Sequence, residues 1–450
     1  MRLSDGNGDA ARVDRTRRRL VAGLAAVALA PSGAMGQALE ALPIPEGLRL
    51  PVDDPLARTV LGTPEALRAE LPVFDLDSNL RAGRVKIFPD RKVPEVFWYA
   101  EGLEYLLAEQ PGPAPLVFVI GGTGSSAHGD GMILLMRGLY AAGMHVVSIA
   151  SPTFPGFIVS ASETSVPGRL PEDAEDLYRA MMAVLSDIGP LLPVTGFRLA
   201  GYSLGGAHAA FVAKLDAQER AFNFEKVLLV NPPVDLLSSV QILDAMFDRH
   251  LRDDPQRVNL FIERLMNELG ELYLESGEAV FDGDFLYRAY ARLTPDDDRL
   301  ETLIGLYFRL LANDMSFTAD LMTGGGYIVP RGREPGFTSS LTPYLARGLS
   351  RSFEDYFEEL YFPFYKARDP DFDQQEALAE LRLAHVEPFL RQARHLGVFT
   401  NRDDIILAPG DLDWLERVMG PRLRVFEHGG HLGNFQERAF VDALAAFFGA

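Results

Sequence analysis

The 450-residue chain contains no cysteine, which excludes disulfides, thiolate metal sites and a lipid-modified N-terminal cysteine. Basic residues are few beside acidic ones, 43 against 63, and leave a formal net charge of −20. Such a surface repels nucleic acid and anionic headgroups over a Debye length of about 8 to 10 Å, so neither is expected as a bulk partner. A neutral or zwitterionic small molecule is not excluded by that field. The apolar stretch from Val21 to Ala30 is 10 residues long, well short of the roughly 20 that a membrane-spanning helix needs. No repeat, heptad run or low-complexity tract stands out. The glycine-rich loop at Gly121 is not followed by Gly-Lys-Ser or Gly-Lys-Thr, so a phosphate loop fits it poorly. His428 and His431 lack a third ligand at standard metal spacing, and no cofactor is implied.

What is present begins with Thr16-Arg17-Arg18-Arg19-Leu20, the apolar stretch after it and the small residues Ala34-Met35-Gly36. This is the outline of a twin-arginine export signal. It predicts removal near Gly36, a periplasmic or secreted location and no stable membrane span. Residues 1–36 hold six arginines and three aspartates, so their loss takes the net charge from −20 to −23. More than 400 residues remain, above the roughly 250 to 300 at which one core stops growing. A core plus an accessory unit is the expected division.

From Val85 short apolar runs alternate with helical periods, the pattern of a mainly parallel sheet covered on both faces. The expected strands are Val85 to Phe88, Val96 to Tyr99, Leu116 to Ile120, His145 to Ile149, Phe197 to Ala200, Val227 to Val230, Leu396 to Thr400 and Leu423 to Phe426. Between Val230 and Leu396 some 160 residues intervene, too many for a structureless loop. Helical periods at Ser239 to His250, Val258 to Leu274, Leu300 to Asn313, Phe353 to Tyr361 and Gln374 to Gln392 predict a helical cap there. Its dense aromatics, among them Tyr356, Phe357 and Tyr361, supply the cap's own core and leave a fraction to line a lipophilic acyl site. Leu321 to Ser340, rich in glycine and proline, reads as an irregular excursion: a lid, a cleft wall or a plain surface loop. The division is 37–84 as an N-terminal extension, 85–232 and 394–450 as core, and 233–393 as cap.

Gly201-Tyr202-Ser203-Leu204-Gly205 follows the apolar run Phe197 to Ala200 and opens an Ala-rich helical stretch. A serine is thereby placed where a strand turns sharply into a helix, and the glycines let the two approach closely. Downstream, Asn401-Arg402-Asp403-Asp404-Ile405-Ile406-Leu407 sets carboxylates just beyond a strand end. Glu427-His428-Gly429-Gly430-His431-Leu432-Gly433 then offers an imidazole in a glycine-rich loop. Upstream, Leu116 to Ile120 ends in Gly121-Gly122-Thr123-Gly124-Ser125-Ser126, where the backbone can come close to a substrate.

With its order of Ser, Asp and His, the chain resembles the α/β-hydrolase superfamily from about Val85 to its end. The resemblance implies Ser203 as nucleophile, activated by an imidazole. His431 is favoured as that base, with His428 the alternative. Asp404 matches the family pattern of an aspartate, any residue and two apolar residues, and Asp403 satisfies nearly the same pattern. The glycine loop resembles the family's His-Gly loop with glycine in place of histidine, and it implies an oxyanion hole from the backbone N–H groups of Thr123 and Leu204. An aspartate would stand at Ser203 in a haloalkane dehalogenase. The expectation is a serine hydrolase of a lipophilic ester. A peptidase, amidase or thioesterase with the same triad remains open, as does a non-catalytic periplasmic binding protein of the same fold.

Overall fold

A computed structural model describes residues 53–74, 79–189, 192–251, 255–276 and 283–449. The expected export signal lies outside the described residues. One sheet holds eight strands: β1 Leu80–Val85, β2 Leu103–Ala108, β3 Ala114–Ile120, β4 His145–Ile149, β5 Val194–Tyr202, β6 Lys226–Val230, β7 Leu396–Asn401 and β8 Leu423–Phe426. Their order is β1-β2-β4-β3-β5-β6-β7-β8. Helices α1 to α16 are Pro55–Leu61, Asp130–Ala141, Pro155–Ser160, Leu170–Ile188, Leu204–Glu219, Leu236–Leu251, Pro255–Ser276, Gly283–Leu293, Asp297–Thr323, Thr342–Leu349, Phe353–Tyr356, Phe362–Arg368, Gln374–Glu380, Glu387–Gln392, Asp411–Met419 and Arg438–Gly449.

The central strands read as unbroken apolar runs because both faces of the sheet are covered. Leu116, Phe118 and Ile120 of β3 enter one cluster with Leu177 and Met181 of α4 and Ala209 and Val212 of α5. Val117 and Val119 enter the opposite cluster with Met132 and Leu135 of α2 and Phe440 and Leu444 of α16. Strand β2 runs antiparallel to both of its neighbours, and every pairing that joins β3 to β8 is parallel. This is the α/β-hydrolase fold, and the helices expected after the sixth strand lie between Val230 and Leu396.

Two strand assignments differ from the sequence expectation. Val96 to Tyr99 is no strand: a 3-10 turn, Glu95–Phe97, follows Pro94 and leaves Trp98 and Tyr99 exposed. The second strand is instead Leu103–Ala108, whose side chains are buried except Glu104. The first strand ends at Val85 and begins at Leu80 rather than running on to Phe88. Among the helices after β6, Leu300 to Asn313 extends to the 27-residue α9, capped by the Asp296 side chain at its start and by left-handed Gly324 at its end. The stretch expected as one helix from Gln374 to Gln392 divides into α13, a 3-10 turn and α14, where Arg382 bridges to Asp235 and Pro388 begins a new turn. The irregular excursion is pinned at its start: Asp320 accepts from the N–H groups of Tyr327, Ile328 and Val329 at 2.8, 2.8 and 2.6 Å. Ile328 is fully buried there.

Candidate active site

Ser203 links β5 to α5 with φ 53° and ψ −130°, a conformation that costs a non-glycine residue about 1 to 3 kcal/mol. The turn is tight because α5 starts against the end of β3. A side chain at Gly205 would lie 2.3 Å from the Ile120 carbonyl oxygen and 2.5 Å from that of Gly121. No residue but glycine fits. The Ser203 N–H donates to the Val230 carbonyl at 2.8 Å, extending the β5–β6 ladder into the elbow.

His431 arrives from the loop after β8. Its Nε2 lies 2.9 Å from Ser203 Oγ, and its Nδ1 lies 3.0 Å from Asp404 Oδ1. Asp404, in the loop after β7, also accepts from Asn231 Nδ2 at 2.7 Å and from the Ile406 N–H at 3.1 Å. The side chains of Asp404 and His431 are 0 and 3 % exposed, so little water competes for these bonds. The two alternatives left open by the sequence sit elsewhere. Asp403 accepts from the N–H groups of Gly429 and Gly430 at 3.1 and 2.9 Å, tying down the backbone that leads to His431. His428 points outward, half exposed, toward Asp53 and Asp403 at 3.6 and 3.9 Å.

The glycine loop after β3 is held by hydroxyl groups. Gly124 N–H donates to Thr153 Oγ1 at 2.8 Å, and that oxygen pairs with Ser151 Oγ at 2.9 Å. Ser125 Oγ pairs with the hydroxyl of Tyr202 at 2.8 Å. Burial pushes that phenol up to about 12, so it stays protonated at neutral pH. Thr123 and Leu204 line the same cavity, and among the described residues neither backbone N–H has an acceptor. This cavity measures about 70 Å³, and its wall is almost wholly hydrocarbon. Leu236, Leu237 and Val240 come from α6, Met315 from α9, and Phe353 and Tyr356 from α11. Phe357 and Tyr361 come from the π-helical turn Phe357–Tyr361, a local widening of the helix. Among the described residues no group of three or more His, Asp or Glu could hold a metal ion, and no described helix is long and apolar enough to cross a membrane.

Three residues that the sequence did not single out complete the surroundings. Asn231, just past β6, holds Asp404. Asn401 and Asn434 pair with each other at 2.7 and 3.1 Å, and Asn401 also donates to the Gly430 carbonyl at 2.7 Å. Their signal is weak in sequence, since a lone asparagine after a strand reads as an ordinary turn residue.

No family model matches the sequence, and no curated protein matches it. Among solved structures the chain is similar to a fungal esterase from Rhizomucor miehei, at 12 % identity over 88 % of this chain and 97 % of that one, with a TM-score of 0.40. It is similar also to a membrane phospholipase A described as a bacterial virulence factor, at 16 % identity over 82 and 86 %, TM-score 0.39. A thioesterase domain from the curacin biosynthetic pathway matches at 13 % identity over 82 and 98 %, TM-score 0.36. Likeness at this level describes outline and no more.

Proposed function

We propose that the protein is a serine hydrolase that cleaves a lipophilic carboxylic ester through an acyl-enzyme. The observation that carries this reading is the contact of 2.9 Å between Ser203 Oγ and His431 Nε2, beside a cavity walled by hydrocarbon. Ser203 attacks the carbonyl carbon while His431 takes its proton, and Asp404 keeps the imidazole in the tautomer whose Nε2 is free to accept. The carbonyl oxygen becomes an oxyanion, for which the N–H groups of Thr123 and Leu204 are the proposed donors. His431 then protonates the departing alcohol. Water, deprotonated by the same imidazole, releases the acid and restores Ser203.

In this proposal residues 85–232 and 394–450 form the catalytic core, residues 233–393 the cap, and residues 1–36 an export signal that takes the enzyme to the periplasm or beyond. The test is a fluorophosphonate probe applied to the purified protein beside a Ser203→Ala control. Equal labelling of parent and control would overturn the assignment of the nucleophile.

The cavity makes the reading quantitative. Each buried methylene contributes about 0.8 kcal/mol, so four more of them favour p-nitrophenyl octanoate over the butyrate by up to ~200-fold in kcat/KM. Val240→Trp fills the cavity from α6 and is expected to remove most of that preference while sparing the butyrate rate. Comparing kcat/KM for the two esters checks it. A separate expectation concerns the glycine loop. Tyr202→Phe deletes the hydroxyl that holds Ser125 and is expected to lower kcat about tenfold, a fraction of the 10² to 10³ lost with a whole oxyanion donor. Steady-state kinetics on the butyrate ester reads this out, and an unchanged kcat would show that the loop holds its shape without the clamp.

A further inference from the structure

The histidine loop has little preference for its own shape. Gly429, Gly430 and Leu432 have φ values of 151°, 54° and 70°, and such a backbone persists only where its surroundings hold it. From the core side, Asp403 and Asn401 hold Gly429 and Gly430. From His431 onward the support comes from a different part of the chain. The backbone N–H of His431 donates to Thr59 Oγ1 at 2.8 Å, and that hydroxyl gives its own proton to the Pro55 carbonyl at 2.7 Å. With its proton committed, the oxygen has a lone pair fixed toward His431. The Gly433 carbonyl accepts from Arg58 Nη2 at 2.9 Å and from Thr63 Oγ1 at 2.8 Å. Arg58 is completely buried and paired with Glu437 at 2.5 Å.

Helix α1 is seven residues long, too short to stand without tertiary support. Asp54 caps it, accepting from the N–H groups of Leu56 and Ala57 at 3.0 and 3.1 Å. Leu56 and Val60 pack with Leu243, Met246, Ile304 and Ile406, and the Tyr287 hydroxyl donates to the Gly62 carbonyl at 2.7 Å. One short helix therefore touches the cap helices, the loop that carries Asp404 and the loop that carries His431. It lies so close to the last that a side chain at Gly430 would meet the Pro55 carbonyl oxygen at 2.2 Å.

We propose that α1 and the turn after it are a strap that positions the base, with Thr59 the positioning residue for the His431 backbone. This rests on the reading of His431 as the base of a serine hydrolase. A displacement of about 1 Å at a catalytic group costs on the order of 100-fold in rate, so losing the Thr59 bond reaches kcat while leaving alone the acyl cavity, which no residue of α1 lines, and with it KM.

The experiment compares full-length parent, Thr59→Val and Thr59→Ser. Valine keeps the shape and deletes the hydroxyl, and serine keeps the hydroxyl. The expected result is a 10- to 100-fold fall in kcat on p-nitrophenyl butyrate for Thr59→Val at unchanged KM, with Thr59→Ser within about threefold of the parent. The low-field proton resonance of the His431 Nδ1–H bonded to Asp404, identified by its loss in His431→Ala, is expected to broaden away in Thr59→Val and persist in Thr59→Ser. Retention of both kcat and that resonance in a folded Thr59→Val protein would overturn the strap. If the parent neither hydrolyses esters nor takes up fluorophosphonate, the hydrolase reading fails instead, and the resonance still decides the strap.

Discussion

Asp404→Asn is expected to lower kcat by about 10⁴-fold, the scale seen when a triad carboxylate becomes an amide and the imidazole is left in the wrong tautomer. Asp404 is enclosed, and its two oxygens are surrounded by donors: His431 Nδ1, Asn231 Nδ2 and the Ile406 N–H. An amide at this position turns one acceptor into a donor, facing either Asn231 or the N–H that must stay on His431 Nδ1. The neighbouring carboxylate is the control. Asp403 accepts from the backbone N–H groups of Gly429 and Gly430, so Asp403→Asn keeps one bond, loses the other and loosens the loop. A fall in kcat of about tenfold is expected there, on the order of one lost hydrogen bond of 1.4 kcal/mol. Steady-state kcat on one p-nitrophenyl ester, measured for both variants, checks the pair. If Asp403→Asn proved the more damaging, the roles would have to be exchanged.

The parts that could be read in advance are those whose cause is local. The elbow announces itself because Gly205 sits where no side chain fits, and a five-residue pattern records that need. The helix Asp411–Met419 is of the same local kind, since its stripe of Leu415, Val418 and Met419 against the core is complete within nine positions. Strand β2 was missed for the opposite reason: Leu103–Ala108 has no alternation, and its antiparallel place between β1 and β4 depends on partners elsewhere in the chain. The choice between Asp403 and Asp404 turns on which side of one turn faces His431, and adjacent residues carry no pattern that tells. Helices α8 and α10, at Gly283–Leu293 and Thr342–Leu349, leave as little trace, being short and held by packing on α1 and α9 respectively.

The site's supports were less visible than its reacting groups. Thr59 meets His431 across 372 positions and Asn231 meets Asp404 across 173. Neither pairing leaves a trace at sequence distances where spacing arguments operate. Cap aromatics were read as core with a remainder facing the serine. Tyr356, Phe357 and Tyr361 are buried in one cluster with Ile158 and Val166 and also line the cavity that Thr123 and Leu204 share.

Ser203→Ala and Ser203→Gly are both expected to reduce kcat by about 10⁶-fold, since a triad without its nucleophile retains only the contribution of the oxyanion donors and of binding. Their stabilities are expected to part company. At φ 53° and ψ −130° a Cβ is strained by about 1 to 3 kcal/mol, and alanine inherits that strain in full. Glycine is free of it, at the cost of about 0.4 to 1 kcal/mol of added freedom in the unfolded chain. The difference favours Ser203→Gly over Ser203→Ala by ~1 kcal/mol, reversing the usual order of the two residues. Denaturant midpoints of the two inactive proteins measure it directly. If Ser203→Ala is the more stable, the elbow stores no strain, and the upright serine must be held in place by its bonds to Val230 and His431 alone.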